Sequence, residues 1–385
     1  MNKLNLRTVP ALLLLAFSGA ASAAAFQLLE QNASGLGNAY AGSAAVADNA
    51  STIFFNPAGM SELGNGIQLS AGVTGVGPSY EYRDQFGVKS GGDAGGWAAV
   101  PNAYLSGQVT KDLFLGLGIS APFGLATEYD AGWVGASKAL KSEIRTININ
   151  PSVAYRFSDK VSFGFGLNYQ SIDGELTKTG VILKADDTSW GWNAGVLFNL
   201  SPAMRVGLSY RSPVKYTLEG TLNGALPVKA DLKLPDTFIL SVWQQVSDRW
   251  EAMGDLSYTR WNSIQSLDVL RSSDSFLLSS EAFRYENSWR FAWGASYKAT
   301  DRAKLKFGIA FDRTPVRDDY RSPRVPDNNR LWLSLGGQWN AGSYGKFDLG
   351  YTYLYVIDPT ISQGVLQGKY DASAHLIGVQ YSVGF

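Results

Sequence analysis

The sequence predicts an all-β protein, a 14-stranded antiparallel transmembrane β-barrel with an N-terminal segment that plugs it. After residue 66, the chain is a series of stretches in which apolar and polar residues alternate, as in strands with one buried face. Short and long connections alternate between these stretches, which is typical of bacterial outer-membrane barrels. No apolar run reaches the roughly 20 residues that a membrane-spanning helix needs, so a membrane location would require a closed barrel.

Each predicted strand has one apolar face that is rich in aromatic residues and one face rich in Gly, Ser, Asn and charge. The predicted strands span about 66–75 (or, with an extension, 66–80), 96–109, 113–123, 143–157, 161–178, 189–200, 204–219, 234–246, 250–264, 283–299, 303–313, 330–340, 345–357 and 372–385. In the fifth, for example, Phe163, Phe165 and Leu167 share a face. An aromatic face suits lipid and its interfaces, and the opposite face suits a polar lumen. This pattern disfavours a soluble sandwich, and a propeller repeat of about 40–50 residues is not evident.

The connections predict the orientation of the barrel. Short turns are centred on residues 111–112, 158–160, 201–202, 247–249, 300–302 and 341–343. Long loops are predicted near 81–95, 124–142, 179–188, 220–233, 265–282, 314–329 and 358–371. Short turns face the periplasm and long loops face outward in such barrels, so the plug enters from the periplasmic end and the chain ends there. The terminal alternation that ends on Phe385 resembles the signal read by the barrel assembly machinery.

Residues 1–23 are predicted to form a cleaved secretory signal peptide. Lys3 and Arg7 give the positive start, residues 9–17 the short apolar core, and residues 21–23 (ASA) the cleavage site. The predicted organisation is therefore a signal peptide at 1–23, a plug at 24–65 and a barrel at 66–385. The expected location is the bacterial outer membrane.

The composition excludes several classes of function. The 385-residue chain has 33 basic and 33 acidic residues, and its formal net charge of zero argues against nucleic-acid binding. It contains no cysteine and a single histidine, His375, which excludes disulfides and thiolate or multi-histidine metal sites. We therefore expect no metal and no cofactor.

The predicted plug resembles the N-terminal hatch of the FadL family of outer-membrane transporters for long-chain fatty acids and other hydrophobic compounds. The similar segments are 26–28 (FQL), 34–42 (SGLGNAYAG) and 56–58 (NPA), followed by 121–128 (APFGLATE), 190–195 (WGWNAG), 210–215 (YRSPVK), 308–312 (GIAFD) and 326–334 (PDNNRLWLS). The resemblance spans nearly the whole mature chain. It implies passive uptake of hydrophobic compounds without catalytic residues, with long-chain fatty acids as the favoured substrate.

The resemblance also implies roles for particular residues in gating. Phe26, the third mature residue, would reach into the lumen beside the ligand, although a disordered N-terminus is the alternative. The turn of Asn56, Pro57 and Ala58 would hold the hatch near the wall. Gly124 would form a kink that opens a gap for sideways exit, since glycine tolerates missing ladder bonds; an ordinary strand-end glycine is the alternative.

A fatty-acid carboxylate needs a cation, and three candidates are near the lumen or the loops. Lys178 aligns with a basic residue of the family's high-affinity pocket, but a solvated lysine at a strand end is the alternative. Arg290 faces inward by alternation and could instead form a lumen salt bridge. Arg284 is the third candidate. Hydrophobic small molecules are the expected ligands, in an outer membrane whose lipopolysaccharide leaflet blocks their free diffusion.

Three other functions remain open from the sequence. Uptake of aromatic hydrocarbons is the main alternative, because the loop predicted at 179–188 is much shorter than in the long-chain fatty-acid members. An acyl hydrolase could use Ser373 and His375, which share a strand face, but no third catalytic group is evident. A nonspecific porin would not explain a hatch of some 40 residues.

Overall fold

The computed structural model describes residues 25–385, so the predicted signal peptide lies outside the described residues. The described strands are β1 Ile67–Asp84, β2 Lys89–Asp93, β3 Ala98–Gln108, β4 Leu113–Ser120, β5 Gly124–Glu128, β6 Lys141–Ser158, β7 Val161–Lys178, β8 Val181–Ser201, β9 Met204–Arg211, β10 Val214–Leu222, β11 Leu226–Leu234, β12 Thr237–Gln245, β13 Trp250–Thr259, β14 Ser266–Arg271, β15 Leu277–Ala282, β16 Ser288–Lys298, β17 Ala303–Asp312, β18 Arg330–Asn340, β19 Lys346–Val356, β20 Thr360–Gln363 and β21 Leu366–Gly384. The helical turns are Leu36–Asn38, Thr52–Phe55, Pro57–Glu62, Trp261–Ser263, Asp318–Tyr320 and Gly342–Tyr344.

The strands form a closed antiparallel barrel of 14 strands, as predicted. Around the wall the order is β1, β3, β4, β6, β7, β8, β9, β12, β13, β16, β17, β18, β19 and β21. The last strand, β21, pairs with β1 from Gln68 opposite Gly384 to Asp84 opposite Gly368, which closes the sheet. Closure pairs the strand edges that an open sheet would leave free.

Alternation along the strands places apolar side chains outside and small or polar ones inside. On β7, Phe163, Phe165 and Leu167 are exposed, whereas Asn168 and Gln170 are buried. This is the predicted division into a lipid-facing surface and a polar interior. Within residues 25–385, no helix has both the length and the hydropathy needed to cross a bilayer.

Six of the seven predicted long loops contain strand residues in the described structure, and only 314–329 contains none. The prediction fails most clearly at 179–188, at 220–233 and at 265–282, where β14 and β15 form a hairpin. β7 and β8 meet in a two-residue turn at Thr179 and Gly180, where residues 179–188 were predicted to be a loop, and Gly180 has a φ of 73°. β10 and β11 likewise form a hairpin within 220–233, and β8 pairs with β10 beyond the barrel proper. In these extensions the alternation is reversed: Leu218 and Leu232 are buried on the inner face, whereas Thr217 and Asp231 are exposed on the outer face. The outer face contacts water rather than lipid, so the lipid-facing apolar pattern ends before the strand does.

Other boundaries shift where the backbone cannot continue the ladder. The seventh predicted strand is interrupted at Ser212 and Pro213, because proline has no N–H to donate. The third predicted strand ends at Ser120 rather than near residue 123. Pairing with β6 resumes at Gly124, the first residue of β5. This second interruption lies beside the candidate functional site.

Candidate ligand passage

The N-terminal segment, residues 25–63, contributes no strand to the barrel wall, and most of its residues are buried. Its side chains reach opposite parts of the wall from within. Asn38 Nδ2 donates to the carbonyl oxygens of Ala295 (2.8 Å) on β16 and Phe307 (3.1 Å) on β17. Asn56 Nδ2 donates to the carbonyl oxygen of Val196 (3.1 Å) on β8. The segment therefore lies across the interior of the barrel.

Glycines on the inner wall allow this segment to approach the strands closely. Gly164 on β7 and Gly195 on β8 are paired neighbours. A Cβ atom on Gly164 would clash with the backbone nitrogen of Ala58, and one on Gly195 would clash with the side-chain oxygen of Asn56. These two glycines thus form a flat patch against which the turn at 56–58 rests.

The turn of Asn56, Pro57 and Ala58 is fixed by hydrogen bonds of the Asn56 side chain. Asn56 is fully buried; its Oδ1 accepts from the amide of Ala58 (3.1 Å), and its Nδ2 also donates to the Ala44 carbonyl (2.8 Å). Pro57 begins the helical turn Pro57–Glu62, where its missing N–H costs no hydrogen bond. The side chain thus connects two parts of the segment to each other and to β8.

The wall is incomplete between β3 and β5. β3 pairs with β1 along residues 98–107, but it pairs with β4 only from Ala103 onward. Among the described pairings, none joins residues 98–102 of β3 to β5. The chain leaves the ladder at residues 121–123, and Gly124 lies at the outer edge of the break as the first residue of β5.

The N-terminal segment supplies hydrogen bonds that a neighbouring strand would otherwise supply at this break. These bonds join Leu28 N to Pro122 O (2.8 Å), Gly124 N to Phe26 O (2.9 Å), Ala121 N to Gln31 Oε1 (3.1 Å) and Gln31 Nε2 to Ala121 O (2.8 Å). Gln27 forms an isolated antiparallel bridge with Phe123. Buried backbone groups need such partners, so the segment and the broken strand stabilise each other.

Phe26 occupies the inner end of an apolar cavity. Its ring contacts Trp261 edge-on, with ring centroids 5.0 Å apart, and lies 6.1 Å from the ring of Phe123. The cavity wall is mainly aliphatic and includes Leu125, Ile144, Ile172, Leu176, Leu218 and Leu232. Arg324 and Lys229 are the cationic residues among its described lining. The same aromatic cluster therefore contacts the wall break and the cavity.

An outer groove adjoins this cavity near the long loops. Its lining includes Lys138 and Lys178, the acidic residues Glu281 and Asp319, and aliphatic and small polar residues. Leu176, Val269 and Arg324 line both the groove and the inner cavity. The two compartments therefore meet at these shared residues.

The predicted cations occupy different environments. Lys178 ends β7 and lines the outer groove, whereas Arg284 is exposed, with its guanidinium 5.1 Å from the ring centroid of Tyr320. Arg290 is buried and donates to the carbonyl oxygen of Ala39 (2.6 Å). Only Lys178 of these three lines the groove or the cavity within the described structure.

Sequence reasoning did not single out Arg324. It lies on the loop between β17 and β18, where strand alternation carries no information. The only sequence signal nearby is the family-like segment that begins two residues later, at Pro326.

Residues 14–385 match the family model described as outer membrane protein transport protein (OMPP1/FadL/TodX). The chain belongs to this family. This FadL-family protein is 32% identical to outer membrane protein P1 of Haemophilus influenzae over 92% of the chain and 90% of that protein. It is 29% identical to the long-chain fatty acid transport protein of Escherichia coli, over 94% of each chain.

Solved structures confirm the fold of this FadL-family protein. A Pseudomonas aeruginosa FadL homologue matches with a TM-score of 0.86 at 22% identity, covering 94% of this chain and all of that one. The Pseudomonas putida toluene transporter TodX matches with a TM-score of 0.72 at 17% identity, with 94% and 100% covered. Membership of this family of outer-membrane transport proteins confirms the outer-membrane location predicted from sequence.

The hydrolase alternative is wrong for this FadL-family protein, because its relatives are transport channels. The geometry at His375 is consistent with this. His375 is exposed on the outer face of β21, and its Nδ1 lies 2.9 Å from the Tyr351 hydroxyl. Its ring also lies against that of Tyr353, 5.2 Å between centroids.

Proposed function

We propose that this outer-membrane transporter of hydrophobic compounds carries long-chain fatty acids by passive, energy-independent uptake. The observation that supports this proposal is the junction of a cation-bearing outer groove with an apolar inner cavity. A fatty acid has the matching parts, a carboxylate and a long apolar chain. The E. coli relative is named for transport of this class of compound.

The proposed route starts at the outer groove, where Lys138 and Lys178 attract the carboxylate. The acyl chain then enters the inner cavity, because burial of apolar surface contributes about 25 cal/mol per Å². There it competes with Phe26 for space. Displacement of Phe26 shifts the N-terminal segment, which acts as the hatch.

The proposed exit is sideways, through the wall break beside Gly124. An apolar ligand gains nothing by entering periplasmic water, whereas the break leads from the barrel into the membrane. The hydrogen bonds from residues 26–31 cover this break at rest. Movement of the same residues would therefore open both the cavity and the wall.

Uptake of monoaromatic hydrocarbons is the second candidate function. Phe26, Phe283 and Tyr285 give one end of the inner cavity an aromatic lining. The short turn between β7 and β8 also separates this chain from the long-loop members on which the fatty-acid assignment rests. A toluene-sized ligand would use the cavity without needing a cation.

Growth of a strain that lacks this protein tests the proposal. We expect loss of growth on oleate as sole carbon source, restored by the wild-type chain, with normal growth on acetate. Normal growth on oleate together with lost toluene uptake would favour the second candidate. Purified protein should also fail to support swelling of liposomes in sugar solutions, which would separate it from an open porin.

Two further partner assignments stay predictions. Lipopolysaccharide should surround the outer end of the barrel, and the barrel assembly machinery should recognise the C-terminus. Phe385 is 77% exposed and pairs with Ile67 through both backbone groups, Phe385 N to Ile67 O (2.9 Å) and Ile67 N to Phe385 O (3.2 Å). The Phe385 side chain is therefore accessible, while its backbone is held by pairing with Ile67.

A further inference from the structure

Arg324 lies where the outer groove meets the inner apolar cavity, and its side chain lines both. It is 6% exposed. The other residues that line both compartments are aliphatic: Leu176, Leu183, Leu267 and Val269. A ligand that passes from the groove to the cavity must therefore pass a buried guanidinium.

Neutral acceptors hold this guanidinium in place. Its terminal nitrogens donate to the Ser142 hydroxyl (2.9 Å) and the carbonyl oxygens of Lys138 (2.9 Å), Lys141 (3.2 Å) and Thr177 (3.3 Å). These acceptors lie at the outer ends of β6 and β7 and in the loop before β6. The side chain is thus fixed independently of any acidic partner.

The charge of Arg324 is balanced by Glu281 on β15. Arg324 Nε lies 3.2 Å from Glu281 Oε2, and the other carboxylate oxygen accepts from the Ser322 hydroxyl. The Glu281 side chain is 32% exposed, against 7% for that of Arg324. Glu281 can therefore turn into water, whereas Arg324 cannot leave its site without losing its other hydrogen bonds.

We propose that Arg324 and Glu281 form a carboxylate-exchange gate between the outer groove and the inner cavity. This gate rests on the proposed fatty-acid function and accounts for the selection of ligands that carry a carboxylate. The ligand carboxylate replaces Glu281 at Arg324 Nε, Glu281 turns into solvent, and the acyl chain passes along the shared aliphatic residues. The exchange conserves a charge-assisted hydrogen bond, so the buried cation keeps a counter-ion throughout.

The gate selects against neutral hydrocarbons. A neutral ligand that displaced Glu281 would leave a buried guanidinium without a counter-charge, which is unfavourable. It must therefore pass with the ion pair intact. The protein thus favours an amphiphile with a carboxylate over an alcohol or alkane of the same length.

Equilibrium dialysis of the full-length protein in detergent tests the gate, with oleate and oleyl alcohol as matched probes. We expect Glu281→Gln to raise oleate affinity several-fold, because the amide competes less well than the carboxylate for Arg324. Affinity for oleyl alcohol should stay within about twofold. Asp248→Asn is the matched control, because Asp248 is an exposed acid in the turn between β12 and β13, outside the groove and the cavity, and both affinities should stay unchanged.

A second variant tests the cation. Arg324→Gln should lower oleate affinity about tenfold or more, since a charge-assisted hydrogen bond is lost, and should leave oleyl alcohol binding nearly unchanged. Heat-modifiable mobility on gels checks that the barrel has folded. Should this variant misfold, Glu281→Gln decides the question by itself.

Failure of the gate and failure of the proposed substrate give different results in these experiments. Wild-type protein that binds oleate, combined with a Glu281→Gln variant that gains no affinity for it, would overturn the gate alone. A folded Arg324→Gln variant that loses both ligands equally would do the same. Wild-type protein that fails to bind oleate would overturn the substrate assignment and the gate with it.

Discussion

Individual asparagine side chains hydrogen-bond the N-terminal segment to the inner face of the barrel, where glycines leave room for close approach. Asn56 reaches the β8 backbone, and Asn38 reaches β16 and β17. The family resemblance pointed to Asn56 and Pro57 from sequence alone. The glycine patch of Gly164 and Gly195 could be placed on the inner face by alternation, but its contact with residues 56–58 could not be predicted, because alternation gives a face and not a partner.

The first prediction concerns Asn56. Asn56→Ala leaves the buried carbonyls of Ala44 and Val196 without this donor, and each unsatisfied group costs about 1–3 kcal/mol. The segment should detach from β8, and oleate uptake should fall about fivefold or more while the barrel stays folded. Asn262→Ala, at an exposed position, is the matched control in uptake assays. Unchanged uptake by a folded Asn56→Ala protein would contradict the anchoring role.

A second prediction at this scale concerns Glu30, which is fully buried on the N-terminal segment, outside the membrane-spanning strands. Burial raises its pKa to about 7, although the positive charges of Arg330 and Arg290 act in the opposite direction. An acid with a raised pKa in the folded state contributes stability below its ordinary pKa. That stability is lost as the pH rises through about 7.

Wild-type protein should therefore unfold at a higher temperature at pH 5 than at pH 8. The difference in unfolding free energy is on the order of 3 kcal/mol. Glu30→Gln should remove the contribution of this carboxyl and so reduce the pH dependence, whereas Glu128→Gln, at an exposed position, should preserve it. Thermal melts in detergent at both pH values measure the effect. Equal pH dependence in wild type and Glu30→Gln would show that Glu30 is not responsible.

Among whole elements, the strands inside the bilayer were the most predictable. Lipid on one side and the lumen on the other impose strict alternation, so all 14 wall strands could be located. The outer part of β8, the strand β11 and the hairpin of β14 and β15 were missed, because their outer faces contact water and lack the apolar lipid-facing pattern. The break after β4 was only partly visible: Pro122 and Gly124 indicate irregular backbone, but the hydrogen bonds from Gln31 and Leu28 join residues that are about 90 apart in sequence.

The prediction for this element concerns the break itself. Deletion of Gly124 shortens the irregular stretch so that the strand can pair through, which should abolish uptake while folding and ligand binding at the outer groove persist. Deletion of Gly132, in the exposed loop between β5 and β6, removes the same residue type without altering a ladder and should preserve uptake. Normal uptake by a folded Gly124 deletion would rule out sideways exit. Passage straight through to the periplasm would then be the better model.

At the scale of the molecule, the N-terminal segment combines two roles. Its residues cross the interior of the barrel, and residues 26–31 complete the hydrogen bonding of a broken wall. A ligand can drive opening without an energy source only if it binds the displaced arrangement more tightly than the resting one. In the proposed gating, competition for the pocket of Phe26 would provide that difference, because the same short stretch of backbone holds the ring in the cavity and bonds to the wall break.

A reversible covalent lock tests this coupling. Gln27 and Phe123 form a non-hydrogen-bonded antiparallel pair, flanked by the bonds Leu28 N to Pro122 O and Gly124 N to Phe26 O. The Cα atoms of such pairs are about 4.5 Å apart, which suits a disulfide, and the chain has no other cysteine to interfere.

The double variant Gln27→Cys, Phe123→Cys should therefore bind oleate at the outer groove but not transport it when oxidised. Reduction of the same protein should restore uptake, so each sample is its own control for the loss of the two native side chains. The measurement is uptake of labelled oleate by cells before and after treatment with a thiol reductant. Equal uptake in both states, with the disulfide verified on a gel, would show that transport does not require the N-terminal segment to leave the wall break.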